Sequence, residues 1–202
     1  MTKILMIGDN EKAKWHPMTR ILPGVHAALD SIVELETTAD LAALTPEKLA
    51  EYPVIISYID RYPDIGVLEQ YLADYVENGG KILALHNGVI NNKGGILEKV
   101  YGGNFIKHPQ RCTLTYTCSD QSILPGTETF EFFEEPYMVT VDDTPHHVYL
   151  TFSYEDKTVE TGWVHEYGKG TVLYFSPGHD DRTSNDPAFQ KLLADCVKYL
   201  LK

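Results

Sequence analysis

Apolar residues follow two regimes along the chain. In the first half, short continuous apolar runs alternate with stretches of helical spacing. Lys3–Gly8, Ser31–Leu35, Val54–Tyr58 and Lys81–Leu85 read as strands apolar on both faces. Met18–Leu29 carries a helical pattern, with Pro23-Gly24 predicted to break or kink it. Thr45-Pro46 opens a short helix, Thr45 as N-cap and Pro46 in the first helical position. Ile65, Leu68, Tyr71, Leu72, Tyr75 and Val76 recur at helical spacing, and Asn78-Gly79-Gly80 supplies a left-handed stop. Apolar strands separated by helices predict a parallel sheet covered on both faces.

The second regime begins at "RCTLTYTCSD". There Thr113, Thr115 and Thr117 share one face and Cys112, Leu114, Tyr116 and Cys118 the other, the alternation of a half-exposed strand. Phe130–Phe133, Tyr137–Val141, His147–Tyr154 and Thr158–Tyr167 continue as short, antiparallel-type strands joined by turns such as Glu155-Asp156-Lys157. Thr171–Ser176 returns to a continuous apolar run. Asp186-Pro187 starts a helix whose apolar stripe is Phe189, Leu192, Leu193, Cys196, Val197 and Leu200, with Lys191, Asp195 and Lys198 facing water. The pattern predicts an α/β doubly wound parallel sheet with an antiparallel β insertion before the last strand. No repeat or linker divides it, so residues 1–202 read as a single domain.

Composition narrows the function classes. The 202 residues are 43% hydrophobic and 23% charged, with a formal net charge of −12. An acidic chain with no run of Lys or Arg argues against nucleic acid and anionic membranes as partners. "MTKILMIGDN" is too short in its apolar run for a signal peptide, and no segment reaches the length of a membrane span, so the cytoplasm is the expected compartment. Cys112, Cys118 and Cys196 form an odd set without CxxC spacing, which speaks against a disulfide framework and against a cysteine zinc site.

Candidate chemistry collects at strand ends. In open parallel sheets the ligand crevice lies beyond the carboxyl ends of the strands. The loops predicted there carry Asp9, Asn10, Trp15 and His16; Asp60, Arg61 and Tyr62; His86, Asn87 and Gly88; and Gly178, His179, Asp180 and Asp181. His86 in "ILALHNGV" and His179 in "SPGH" share one form: an apolar strand, a glycine-assisted turn and an imidazole. His108 in "GGNFIKHPQ" is a third candidate, and Glu134-Glu135-Pro136-Tyr137 adds carboxylates and a phenol. Singly, His86 or His179 is better explained as a turn or cap residue, His108 equally well as an exposed loop residue, and the acidic run as a solvated loop. His26, His146, His147 and His165 read as structural or surface positions.

These residues resemble a known family. "GGKILALHNGV", "YGGNFIKHP", "FEEPYMV" and "EYGKGTVLYFSPGHDD" with "DPAFQKLL" follow the order seen in ThuA-like (trehalose-utilisation) proteins, and the resemblance spans nearly the whole chain. It implies a flavodoxin-like sheet of the class I glutamine amidotransferase type. The family's strand-end Leu-His motif falls on Leu85-His86, its Gly-Gly-x-Phe…His-Pro motif on Gly102, Gly103, Phe105, His108 and Pro109, and its Gly-His motif on Gly178-His179. Its Asp-Glu-x-Tyr motif falls on Glu134-Glu135-Pro136-Tyr137 with Glu in place of Asp; Trp15-His16 is the nearest match to its early histidine motif. Amidotransferases place a nucleophilic cysteine where His86 stands, and no cysteine of this chain falls at such an elbow, so thiolate chemistry is not expected.

The resulting expectation is a carbohydrate-metabolism protein acting on a sugar or keto-sugar in a histidine-rich crevice. His86, His108, His179 and Glu135 are the expected catalytic groups. The three histidines are also the expected ligands of a divalent metal, zinc suiting imidazoles and carboxylate best. Trp15, His16, Asn87, Tyr137 and Asp180 are the expected substrate contacts. A nucleotide cofactor is not expected, because "IGDNEKAKWHP" lacks a glycine-rich phosphate loop. A non-catalytic sugar-binding or regulatory module on the same crevice is the alternative. Exposed antiparallel edges further suggest a homo-oligomer.

Overall fold

The computed structural model describes residues 1–60, 65–90, 93–141, 143 and 145–202. Its first half runs β1 (Thr2–Gly8), α1 (Met18–Leu29), β2 (Val33–Thr38), α2 (Pro46–Leu49), β3 (Val54–Tyr58), α3 (Leu68–Glu77), β4 (Lys81–Leu85) and α4 (Ile96–Tyr101). The second half runs β5 (Gly103–Lys107), β6 (Cys112–Cys118), β7 (Thr129–Glu134), β8 (Met138–Val141), β9 (His147–Tyr154), β10 (Lys157–Tyr167), β11 (Gly170–Phe175), α5 (Asp181–Ser184) and α6 (Pro187–Leu200).

Nine strands form one sheet in the order β2-β1-β3-β4-β11-β10-β9-β6-β7. The first five are parallel, and β10, β9, β6 and β7 continue the sheet antiparallel. The insertion therefore widens the sheet beyond β11. Two of its segments, β5 and β8, leave to pair as a separate antiparallel ribbon. Apolar residues on both faces of a strand demand cover on both sides, and alternation along each strand builds two cores. Ile4, Met6, Leu83 and Leu85 pack on the side of α1 and α6; Leu5, Ile7, Ile82 and Ala84 pack with Leu72, Val76 and Tyr101 from α3 and α4.

Several local expectations need correction. Pro23 and Gly24 neither break nor end α1, which runs its full 12 residues. Gly24 serves packing: a Cβ there would stand 2.0 Å from the Ser184 carbonyl oxygen of α5. The second strand begins at Val33 rather than Ser31, and α4 and β5 are elements that periodicity alone did not assign. The α3 stop is as predicted, with Gly79 at φ +109. The β9–β10 hairpin turns on Glu155 and Asp156, both at positive φ, the conformation of a tight two-residue connection.

Candidate metal centre

The parallel part of the sheet has β1 between β2 and β3, so the chain departs from β1 in one direction and returns on its other side. This reversal opens a crevice above the carboxyl ends. Four strand-end segments deliver side chains there. The loop after β1 brings His16, the end of β3 brings Asp60, the turn after β4 brings His86, and the turn after β11 brings His179. Glu135 arrives from the antiparallel insertion, just after β7.

His16, His86, Glu135 and His179 converge so that one donor atom of each lies within 4.8 Å of the others. Glu135 Oε2 is 3.1 Å from His179 Nδ1 and 3.7 Å from both His16 Nε2 and His86 Nε2. His16 Nε2 and His179 Nδ1 are 3.2 Å apart. His16, His86 and Glu135 are buried.

His86 and His16 are held from behind through their second ring nitrogen, and the His179 turn through its main chain. His86 sits at φ +47, a left-handed backbone that turns β4 sharply into the following 3₁₀ turn and throws the imidazole above the sheet. Its Nδ1–H donates to the Ser176 carbonyl at 2.7 Å. His16 Nδ1 donates to Asp60 Oδ1 at 2.8 Å, while Asp60 Oδ2 accepts the main-chain N–H groups of Trp15 and His16. One Glu134 oxygen accepts the N–H groups of Gly178 and His179 at 3.0 and 3.2 Å, and the Tyr58 hydroxyl donates to the Gly178 carbonyl at 2.9 Å. Gly178 is at φ +129, so this turn needs its glycine.

Electrostatics follow this geometry. Burial pushes the Glu135 carboxyl up, but the imidazoles of His16, His179 and His86 outweigh it and hold the carboxyl well below the usual range. Burial would lower His16, yet its hydrogen bond to Asp60 and the neighbouring Glu135 carboxylate prevail and raise it. Burial lowers His86, against the pull of Glu135. Burial opposes ionisation of Asp60, and hydrogen bonds from His16 and Trp15 overcome it. Two atoms inside the cluster, His86 Nε2 and Glu135 Oε2, are buried without a hydrogen-bond partner among the described residues. A lone pair on a neutral imidazole and a carboxylate oxygen facing each other fit a cation between them.

The other expected site residues take different places. His108 stands outside the four-donor cluster, half-exposed, with Nε2 3.7 Å from the outer Glu135 oxygen Oε1 and its ring stacked on Tyr137. His16, expected among substrate contacts, takes the position in the cluster expected for His108. Tyr137 is buried against the His86 ring, 4.3 Å between centroids, and forms a wall. Asn87 is fully enclosed, with no hydrogen-bond partner for its amide among the described residues. Asp180 caps α5 and pairs with Arg111 at 2.8 Å. Trp15 is 63% exposed. Arg61 and Tyr62 lie outside the described residues. The positioning roles of Asp60 and Glu134 were missed as site functions; an acidic residue directly after an apolar strand was the available signal for Asp60.

A cavity of about 720 Å³ opens beside the cluster, lined by Trp15, Asp60, Phe105 and Ile106 among others. It shares Asp60 with the centre. His165 is buried and engaged with the Val100 carbonyl, a structural position.

The trehalose-utilisation (ThuA) family model matches residues 6–200. The chain belongs to the ThuA family. Solved structures similar to this ThuA protein include a ThuA-like protein from Bacteroides uniformis, 17% identical with a TM-score of 0.79, the match covering 98% of this chain and 91% of that one. A cytoplasmic protein from Salmonella typhimurium is 14% identical with a TM-score of 0.69, covering 98% and 99% of the two chains. A β-galactosidase from Bacillus circulans is 12% identical with a TM-score of 0.68, covering 98% of this chain but 30% of that enzyme. At these identities the likeness is one of fold, the class I glutamine amidotransferase type. No curated protein matches the ThuA chain. No helix is long and apolar enough to cross a membrane.

Proposed function

We propose that His16, His86, Glu135 and His179 hold a divalent metal, zinc being the ion best matched by three imidazoles and one carboxylate, and that the protein uses this centre on a sugar or keto-sugar in the cytoplasm. The observation carrying the metal reading is that the buried His86 Nε2 and Glu135 Oε2, 3.7 Å apart, have no hydrogen-bond partner among the described residues. Membership of the trehalose-utilisation family and the exposed Trp15 ring on the adjoining cavity support a carbohydrate ligand. When bound, such an ion polarises a carbonyl or activates water. The chain's own residues supply the rest. Asp60 orients His16 and balances its charge. Tyr137 excludes water from one side of His86. His108, half-exposed and next to Glu135 Oε1, is the group placed to exchange a proton with solvent or substrate. The elbow holds an imidazole, so thiolate acyl transfer is not part of this chemistry.

The second reading is a sugar-binding module without turnover. It is favoured by the completeness of the donor set: four protein donors can close a tetrahedral shell, as structural zinc sites do.

Metal analysis of protein purified without a histidine tag tests the centre. One equivalent of metal is expected, lost from the His86→Ala/His179→Ala variant. No metal in either, with no response to chelation, would sink it. Turnover of keto-disaccharides abolished by chelation supports the enzyme; sugar binding without turnover supports the module.

A further inference from the structure

The cavity beside the centre carries a charge pattern that the metal does not use. Lys12 and Lys14, from the loop after β1, and Lys93, from the segment before α4, all line it. These positions are distant in sequence, and only the fold brings them together. Four lysines elsewhere pair with carboxylates: Lys3 with Glu36, Lys48 with Glu51, and Lys191 and Lys198 with Asp195. Among the described residues, none of the three cavity lysines has a carboxylate within ion-pair distance. Lys14 rests over the Trp15 ring, 5.2 Å from its centroid.

The acidic groups lining the same cavity are already engaged. Asp60 is bound by His16 and two main-chain amides, and Glu98 accepts the Gly94 N–H. Three lysines thus line one concavity of a chain with 29 acidic and 17 basic side chains. Like charges so placed repel one another until an anion joins them, and the overall negative field makes local cations necessary for an anion to bind here at all. Trp15, Phe105 and Ile106 give the cavity an apolar, partly aromatic wall, with Ile106 55% exposed.

We propose that this cavity takes the oxyanion of an anionic sugar, a carboxylate or a phosphate on Lys12, Lys14 and Lys93, with the sugar ring against Trp15. The substrate class of the centre is then a sugar acid or sugar phosphate rather than a neutral sugar. This rests on the carbohydrate reading above and sharpens it. Charge-assisted hydrogen bonds from the ammonium groups supply selectivity over the neutral ring.

Calorimetric titration of the 202-residue protein with glucuronate, glucose 6-phosphate, glucose and inorganic phosphate tests it. At least one anionic sugar is expected to bind about ten-fold or more tighter than glucose. The triple variant Lys12→Gln/Lys14→Gln/Lys93→Gln should bring that affinity down to the level of glucose, with metal content and Tm unchanged. Preference for glucuronate or for glucose 6-phosphate separates carboxylate from phosphate. Equal binding of glucose and both anionic sugars would overturn the anion assignment while leaving the carbohydrate reading intact. Undiminished anion affinity in the triple variant would overturn it too. Lysine-dependent binding of inorganic phosphate with no sugar bound would support the anion subsite and remove the carbohydrate reading.

Discussion

His86 and Ser176 are joined by a 2.7 Å hydrogen bond from the imidazole Nδ1–H to the main-chain carbonyl. A carbonyl oxygen only accepts, so Nδ1 carries the proton and Nε2 is left with its lone pair turned toward Glu135. The bond is dictated by the sheet: β4 and β11 are parallel neighbours with Leu85 opposite Phe175, which sets the next residue of each strand side by side. The tautomer of the first donor is thus fixed by strand register.

His16 and His108 offer a decisive comparison. His16→Ala removes a donor from the cluster and should weaken zinc binding by more than about a hundred-fold, beyond the usual cost of losing a supporting partner. His108→Ala should leave zinc stoichiometry unchanged. Competition against a chromophoric chelator reads both, and the reverse pattern would show that the ligand set is wrong.

Asp60 acts on the centre through His16. Asp60→Asn should lower zinc affinity by about 10- to 100-fold, because the neutral amide neither balances the imidazole charge nor favours the required tautomer as strongly. The far-UV circular dichroism spectrum should be unaltered. Wild-type affinity in this variant would reduce Asp60 to a loop-holding residue.

Gly24 tests packing against propensity. Alanine favours a helix by about 1 kcal/mol over glycine. Here, however, its Cβ would lie 2.0 Å from the Ser184 backbone oxygen, with α1 pressed against α5. Overpacking of about 1–3 kcal/mol should outweigh the propensity gain, so Gly24→Ala should lower the urea midpoint. A raised midpoint would mean that α5 yields without cost.

The three cysteines should differ in reactivity. Burial pushes the Cys196 thiol up to about 12 and raises Cys118 as well, whereas Cys112 is half-exposed. Thiolate is the reactive form. A disulfide-exchange reagent should therefore titrate Cys112 in the native protein and the other two only after denaturation. Rapid reaction of all three would contradict the burial seen here.

The strands and helices of the parallel half were legible because their signals are local. Continuous apolar runs mark strands buried on both faces, and Asn78-Gly79-Gly80 marks a stop that needs only its own backbone. Pro23-Gly24 does not break the helix as its local chemistry predicts, because Gly24 is a packing position against α5, which follows far later in the chain. The same holds for α4 and β5, short elements whose stability comes from docking rather than from period.

By itself the sequence determined the α/β class, the placing of polar side chains at strand ends, and the supply of imidazoles and carboxylates there, since periodicity and strand-end turns are properties of neighbouring residues. Which of those groups meet was decided only by the tertiary structure. His16 and His108 are alike in sequence terms, each an imidazole next to a proline. The strand order carries the β1 loop over the crevice between β1 and β3, so His16 meets His86, His179 and Glu135, and the β5–β8 ribbon leaves His108 at the rim. The fold likewise sets Lys12, Lys14 and Lys93 around one cavity. Contacts among residues this far apart depend on strand order, which no local pattern encodes.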